Sequence, residues 1–129
     1  QDALPTSEIA ENSAAQKFPF GSGENAVAKI EGDSLKIGNI SLHLSECKVR
    51  GIYQLENMAA ATLATLAIGV DIHVIFEALK TYEALPLRME FRGEKNGIEF
   101  FNDSYATRPD TTLAAVRSMK RPFALILDG

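Results

Sequence analysis

The chain has 129 residues, of which 46% are hydrophobic and 23% are charged, and its formal net charge is −4. This length and composition are typical of about one globular domain rather than of a disordered chain. The negative balance gives no basic surface of the kind that binds nucleic acid, so we expect no nucleic-acid partner. The single cysteine, Cys47, excludes a disulfide within the chain and a zinc site built from several thiolates, and it fits a reducing compartment.

Membrane insertion and secretion are not indicated. No apolar run approaches the roughly 20 residues that cross a bilayer. The first residues lack the basic and then apolar regions of a signal peptide. We therefore expect a cytoplasmic protein with no membrane insertion.

The first half of the chain predicts a small sheet followed by helices. Residues 1–25 are polar and interrupted by proline and glycine, so we expect irregular structure there. Between residues 26 and 50, short apolar runs separated by glycine-containing turns predict an antiparallel ribbon. An alanine-rich helix is predicted from about residue 56 to residue 68, with Gly69 just beyond its end. Asp71 is predicted to cap a second helix. The buried stripe of that helix comprises Ile72, Ile75, Phe76 and Leu79.

Strand patterns return after residue 85. Leu87, Met89 and Phe91 alternate with charged residues, which predicts a strand with one apolar face. Asn96-Gly97 is a strong hairpin signal, and residues 98–101 follow it as the second strand.

A polar stretch then leads into a predicted helix around residues 113–116. Thr107 is predicted as its N-cap, with Asp110 three residues later in a variant of the capping box. Because a helix N-terminus presents unpaired N–H groups and a partial positive charge, this end suits an anionic ligand. A well-capped helix that binds nothing is the alternative interpretation.

Residues 123–127 are apolar throughout, which predicts a strand covered on both faces in a parallel sheet. Strand, polar loop, helix and buried strand in this order are typical of half a doubly wound α/β unit, whose ligands bind at the carboxyl ends of strands. Asp103 and Asp128 lie at such predicted ends. A central strand left at the edge of a finished domain invites aggregation, so we interpret the chain as part of a larger protein.

Three motifs, in this order, resemble the Mur ligases, the ATP-dependent amino-acid ligases of peptidoglycan precursor synthesis. Residues 51–61 are GIYQLENMAAA and resemble the family pattern GxHNxxN followed by alanines. Residues 85–90 are LPLRME and resemble the pattern LPHRxE. Residues 102–107 are NDSYAT and resemble the NDSKAT of the branch that adds D-glutamate, which is the most specific of these similarities. The resemblance covers about residues 24–129.

The resemblance implies roles for five residues. Asn57 matches the residue that binds the adenine of ATP, and Arg88 and Asp103 match residues that hold its phosphate and ribose. Tyr105 and Thr107 match positions around the incoming amino acid. The implied cofactors are ATP and Mg²⁺, and the implied substrates are UDP-N-acetylmuramoyl-L-alanine and D-glutamate, joined through an acyl phosphate. No catalytic or metal-ligating residue is assigned within the chain.

The resemblance also implies an α/β fold with two parts. Residues 1–84 correspond to the C-terminal part of the central ATPase-type domain, including its small antiparallel ribbon. Residues 85–129 correspond to the start of the Rossmann-like C-terminal domain. The remaining domains of the same ligase are then the expected partners.

Several positions depart from the family patterns. Tyr53 and Gln54 replace the usual His-Asn pair, Leu87 replaces a histidine, and Tyr105 replaces the common lysine. Tyrosine supplies no fixed positive charge to a substrate carboxylate. No phosphate loop of the form GxxxxGK[ST] occurs in the sequence, so we expect the chain by itself not to turn over ATP.

Other functions remain open at this point. Ser104, Tyr105 and Pro109 also fit the DSYNANP motif of the sister ligase that adds D-alanyl-D-alanine, and folylpolyglutamate synthetase is a further relative. A non-catalytic α/β nucleotide-binding or interaction module is a candidate from another class. In the plainest interpretation, every polar residue named here is a helix cap or a surface residue.

Overall fold

The computed structural model describes residues 10–127 and belongs to the mixed α/β class that the sequence predicts. The strands are β1 (Phe20–Gly21), β2 (Ala28–Glu31), β3 (Ser34–Ile37), β4 (Ile40–His43), β5 (Glu90–Lys95) and β6 (Ile98–Asn102). The helices are a short 3-10 turn (Leu44–Glu46), α1 (Gln54–Ala67), α2 (Ile72–Thr81) and α3 (Pro109–Ser118).

The predicted antiparallel ribbon is confirmed, as β2, β3 and β4 in a sheet of order β1-β2-β3-β4. Leu35 lies opposite Ile30 on one side and opposite Leu42 on the other, so alternate residues place their apolar side chains on one face. The two-residue strand β1 pairs with β2 in parallel and was not predicted. Its short run lies among prolines and glycines, which gave no strand signal.

The hydrophobic core lies between the apolar face of this sheet and the helices α1 and α2. Leu35, Leu42 and Leu55 are fully buried there. Thr62 of α1 is also fully buried, and its hydroxyl has no hydrogen-bond partner among the described residues. Cys47 packs against the same core, and partial burial raises the pKa of its thiol. The remaining core side chains are Ala28, Val49, Met58, Ala59, Leu63, Ile75 and Phe76.

The predicted boundary between the two helices is confirmed. Gly69 follows α1 with φ +87°, the left-handed conformation that glycine adopts without a steric penalty. Asp71 caps α2, and its carboxylate accepts a hydrogen bond of 2.8 Å from the backbone N–H of His73. In the predicted stripe of α2, Ile75 and Phe76 are buried, and Ile72 and Leu79 pack at the edge of the core.

The predicted hairpin is confirmed, with a later start than expected. Strand β5 pairs antiparallel with β6, and Asn96 and Gly97 turn between them with φ +53° and +78°. The alternation from Leu87 suggested a strand, but β5 begins at Glu90. Leu87 and Met89 have φ +64° and +45°, and these left-handed residues cannot continue a strand.

Two predictions near the end of the chain are wrong. The N-cap of α3 is Arg108 rather than Thr107, and Pro109 occupies the first helical position. Residues 123–127 form no strand, since none of the described strands pairs with them, and Ile126 is 94% exposed. The prediction made for Asp128 lies outside the described residues.

Candidate nucleotide-binding cleft

A cleft of about 460 Å³ is lined by residues that are far apart in the sequence. This volume is within the range of small-molecule binding sites. One wall comes from the start of α1, another from the turn before β5 and the end of β6, and a third from the first turns of α3. The lining residues are Tyr53, Gln54, Glu56, Asn57, Tyr82, Ala84, Leu85, Arg88, Asp103, Asp110, Thr111 and Ala114.

The three residues that the sequence assigned to nucleotide binding all line this cleft. Asn57 lies in the first turns of α1, Arg88 in the turn before β5, and Asp103 directly after β6. They provide an amide, a guanidinium and a carboxylate around one space. This set can bind a ligand that carries hydrogen-bonding edges, hydroxyls and negative charge.

Hydrogen bonds hold the backbone of Arg88 on both sides. The N–H of Leu87 donates to a carboxylate oxygen of Glu90 at 3.0 Å, and the N–H of Met89 donates to Oδ1 of Asp103 at 2.9 Å. The bond from Leu87, followed by the one from Arg92, lowers the pKa of Glu90. These two carboxylates therefore stabilise the left-handed backbone on either side of Arg88.

Asp103 uses only part of its carboxylate for this purpose. Its Oδ1 accepts the bond from Met89, whereas its Oδ2 accepts no hydrogen bond from any residue between 10 and 127. The second oxygen is available to a ligand, and a carboxylate oxygen is a good acceptor for a sugar hydroxyl. Asp103 thus has a structural role and can have a binding role as well.

Asn57 is oriented by its neighbour Gln54. The Nδ2 of Asn57 donates to the Oε1 of Gln54 at 3.2 Å, one helical turn earlier. Gln54 is only 8% exposed, so its amide is fixed by the surrounding structure. The Oδ1 of Asn57 and its second N–H can then face a ligand as acceptor and donor.

Tyr53 forms part of the wall between Asn57 and Asp103. Its ring is half-buried, and burial, followed by the negative charge of Asp103, raises the pKa of its phenol. Gly51 permits this position, because a Cβ at Gly51 would lie 2.6 Å from Cε1 of Tyr53.

The third wall is the N-terminal end of α3. Asp110 and Thr111 lie in its first turn and line the cleft. Arg108 pairs with Asp110 through Nε and Nη2, at 3.1 Å and 3.0 Å, which offsets the negative charge of this carboxylate. The partial positive charge of the helix N-terminus therefore remains next to the cleft.

The two residues that the sequence assigned to the amino acid lie outside the lining of the cleft. Tyr105 is 55% exposed, and its backbone N–H donates to the carbonyl of Leu87 at 3.1 Å. Thr107 is exposed, and its backbone N–H donates to the carbonyl of Tyr105 at 3.0 Å. Their assignment stays a prediction.

Sequence reasoning missed several lining residues. In the sequence, Tyr53 and Gln54 stand out only as departures from a motif, although their position at the start of α1, close to Asn57, places them in the same wall. Tyr82 and Ala84 follow α2 and carry no chemical signal of their own. No sequence pattern distinguishes such residues from ordinary loop positions.

Residues 10–127 contain no preformed metal site and no membrane-spanning helix. No three His, Cys, Asp or Glu side chains in this range come together as a metal site. The cleft is lined by the carboxylates of Glu56, Asp103 and Asp110, of which Asp110 already pairs with Arg108. Mg²⁺ usually binds one or two carboxylates together with the phosphates of a ligand, and Glu56 and Asp103 fit that mode. No helix in this range is long and apolar enough to cross a bilayer.

Comparisons with known proteins agree with the resemblance seen in the motifs. No protein-family model matches the chain. Curated proteins named UDP-N-acetylmuramoylalanine–D-glutamate ligase do match it. The chain is 35% identical to the one from Thermoanaerobacter sp. (strain X514) over 100 residues, 78% of this chain and 21% of the relative. It is 37% identical to the one from Hydrogenobaculum sp. (strain Y04AAS1) over 123 residues, 91% of this chain and 28% of the relative.

A third relative, from Elusimicrobium minutum (strain Pei191), is 42% identical over 89 residues, 69% of this chain and 20% of the relative. The chain therefore spans between 20% and 28% of the length of these relatives. The resemblance to the Mur ligases is confirmed over most of the chain.

Proposed function

We propose that this chain, which is homologous to part of the UDP-N-acetylmuramoylalanine–D-glutamate ligases, provides nucleotide-binding residues to an ATP-dependent ligase of the same kind. In the proposed reaction, the full-length protein joins D-glutamate to UDP-N-acetylmuramoyl-L-alanine and releases ADP and phosphate. One observation carries the proposal: Asn57, Arg88 and Asp103, which three separate motifs supply, line one cleft.

Each of these residues has a chemistry that suits one part of ATP. The amide of Asn57 offers a donor and an acceptor to the edge of the adenine. Arg88 forms no ion pair within the described residues, so its guanidinium can bind a phosphate. The free Oδ2 of Asp103 can accept a hydrogen bond from a ribose hydroxyl.

When bound, ATP and Mg²⁺ would supply the phosphoryl group that activates the substrate carboxylate for attack by the amine of D-glutamate, and the metal would offset the negative charge of the phosphates. The residues of this chain bind and orient the nucleotide, and we assign none of them a catalytic role. The cleft carboxylates that would help to hold the metal are Glu56 and Asp103, since Asp110 already pairs with Arg108. Because the reaction consumes ATP, the proposal includes a cytoplasmic location.

The proposal keeps the two-part domain assignment, with residues 1–84 in the central domain and residues 85–129 in the C-terminal domain. The hydrophobic core supports this division, because all of its side chains lie between Ala28 and Ala84. Asn57 comes from the first part, and Arg88 and Asp103 come from the second. A nucleotide bound between them would therefore contact both domains, which is a common location for ligand sites.

Phosphate release by the full-length protein tests this function. With ATP and UDP-N-acetylmuramoyl-L-alanine present, we expect D-glutamate to stimulate release and D-alanyl-D-alanine to have no effect. Stimulation by D-alanyl-D-alanine, or by glutamate with a folate in place of the UDP-sugar, would assign the protein to another ligase. Binding of ATP without any substrate-dependent release would instead support a non-catalytic nucleotide-binding module.

Asp103→Asn separates the binding role of Asp103 from its structural role. The side-chain oxygen of asparagine can still accept the hydrogen bond from Met89, but its other group is a donor rather than an acceptor. We expect the melting temperature to change little and the Kd for ATP to rise about tenfold, since a hydrogen bond to a charged group contributes about 1.5 kcal/mol or more. Isothermal titration calorimetry measures this Kd.

Glu94→Gln is the matched control for the loss of one negative charge. Glu94 is exposed in β5, away from the cleft, so ATP affinity should be unchanged in this variant. If Asp103→Asn also binds ATP as the wild type does, Asp103 only stabilises the turn before β5 and the proposed role is wrong.

A further inference from the structure

The guanidinium of Arg88 is held by an aromatic ring instead of a carboxylate. Its Cζ lies 4.9 Å from the centroid of the Tyr105 ring. Most of the other arginines, in contrast, pair with carboxylates: Arg50 and Arg121 with Glu99, Arg92 with Glu90 and Arg108 with Asp110. Arg88 has no such partner between residues 10 and 127.

The two ways of holding an arginine differ in what they leave free. A carboxylate partner occupies the N–H donors of the guanidinium and offsets its charge. An aromatic ring contacts the flat face of the group and leaves the donors at its edge, with the full charge, available to another ligand. An arginine that has to bind phosphate benefits from the second arrangement.

Hydrogen bonds of the backbone hold the loop that carries Tyr105 close to Arg88. The N–H of Tyr105 donates to the carbonyl of Leu87 at 3.1 Å, so the loop after β6 is tied to the residue before Arg88. Within that loop, the N–H of Ser104 donates to the side-chain oxygen of Asn102 at 3.0 Å, and the N–H of Ala106 donates to the carbonyl of Asp103 at 2.9 Å. The ring is more than half exposed, so packing in the core does not explain its position.

We propose that Tyr105 is a positioning residue, whose ring holds the guanidinium of Arg88 at the cleft so that its donors face the phosphates of the nucleotide. This inference rests on the proposed function and changes the role that the resemblance implied for Tyr105, from contact with the amino acid to support of Arg88. It also accounts for the tyrosine at a position where lysine is common. A lysine there would place a second positive charge beside Arg88, whereas the ring attracts the guanidinium.

Substitutions of Tyr105 in the full-length protein separate the two roles, with the KM for ATP and the KM for D-glutamate measured independently. Tyr105→Phe keeps the ring, and we expect both constants to stay near those of the wild type. Tyr105→Leu removes the ring, and we expect the KM for ATP to rise about two- to fivefold while the KM for D-glutamate is unchanged. A rise in the KM for D-glutamate alone, or no change in either constant, would overturn the inference.

A double-mutant cycle tests whether Tyr105 acts through Arg88. In the Arg88→Ala background, Tyr105→Leu should have no further effect on the KM for ATP. Full additivity of the two substitutions would contradict the proposal. If Tyr105→Leu fails to fold, Tyr105→Ala, which also removes the ring and adds no charge, takes its place with the same expected effects.

A readout that needs no nucleotide distinguishes failure of this inference from failure of the proposed function. The Nε–H resonance of Arg88 in an NMR spectrum is shifted by the neighbouring ring, and we expect Tyr105→Leu but not Tyr105→Phe to abolish this shift. A wild-type protein that does not bind ATP but shows the shift would refute the proposed function alone. A wild type that binds ATP but shows no such shift would refute the positioning role.

Discussion

Gly51 shows how one backbone position controls a wall of the cleft. Its φ of +95° is unfavourable for any residue with a Cβ. A Cβ there would also lie 2.6 Å from Cε1 and 3.1 Å from Cδ1 of Tyr53. Replacing Gly51 with any other residue would therefore strain the backbone and also displace the ring of Tyr53.

For Gly51→Ala we expect the free energy of unfolding to fall by about 1–3 kcal/mol, since a strained residue costs about this much. We also expect weaker ATP binding, because the ring of Tyr53 has to move. Gly69→Ala is the matched control, since Gly69 has φ +87° but open space where a Cβ would lie. It should lose stability and keep the ATP affinity of the wild type. Urea unfolding and calorimetry measure the two effects, and equal ATP affinities in both variants would contradict the role given to Tyr53.

Residue types were easier to predict than side-chain positions. Asn57, Arg88 and Asp103 could be selected from motifs because an amide, a guanidinium and a carboxylate each carry a recognisable chemistry. The stacking of Arg88 on Tyr105 could not be predicted, because it depends on left-handed backbone at Leu87 and Met89. Hydrogen bonds to Glu90 and Asp103 support that backbone, and Asp103 is distant in the sequence.

At the scale of elements, the hairpin β5–β6 is tied to the rest of the molecule by Arg50. Its guanidinium lies 4.6 Å from the ring centroid of Phe91 and 5.6 Å from that of Phe101. Its Nη1 also contacts the carboxylate of Glu99 at 3.0 Å. Arg50 precedes α1, so this single side chain links the region of the first sheet to the hairpin.

We expect Arg50→Ala to loosen the hairpin, with a loss of about 1–2 kcal/mol from two cation–π contacts and one ion pair. Amide hydrogen exchange should become faster in β5 and β6 and change little in α2, which lies away from this contact. Lys95→Ala is the control, because this exposed lysine of β5 has no ion-pair partner within the described part of the chain. Uniformly faster exchange in both variants would show that Arg50 does not have this specific role.

The elements that could be predicted are those with local signals. Gly69 and Asp71 mark the boundary between α1 and α2, and Asn96-Gly97 mark the hairpin, because each acts through its own backbone conformation or hydrogen bonds. Residues 123–127 have the apolar pattern of a buried strand, but within residues 10–127 no strand lies beside them to accept their backbone hydrogen bonds. Hydrophobicity indicates that a segment can be buried, whereas the presence of a neighbouring strand depends on the whole fold.

At the scale of the whole molecule, surface carboxylates paired with lysines and N–H groups make the folded state sensitive to acid. Hydrogen bonds from Lys36 and then Lys29 lower the pKa of Glu31 to about 2. Bonds from Lys120 to Asp33 and from Lys48 to Glu83 also lower the pKa of those carboxylates. The pKa values of Glu46 and Glu90 are lowered as well, and in both cases the largest cause is a hydrogen bond from a backbone N–H, that of His43 and that of Leu87.

A lowered pKa means that the folded state binds protons less readily than the unfolded state. The stability from these groups is therefore fully present above the unfolded pKa, about 4 for carboxylates, and is lost as the pH falls through the folded values. We expect the urea midpoint to be constant from pH 7 to about 5 and to decrease between about pH 4 and 2. Glu31→Gln should reduce this decrease. A urea midpoint that does not depend on pH between about 4 and 2 would contradict the lowered pKa values of these carboxylates.

The walls of the cleft have a mechanical consequence. They belong to three separate stretches of chain: the start of α1 beside the first sheet, the turn that carries Arg88 beside the hairpin, and the first turns of α3. A ligand that fills the cleft restrains all three stretches of chain at once, because it contacts each of them. Ligand binding should then be detectable far from any atom that the ligand contacts, as smaller fluctuations in the helices and strands that carry the three walls.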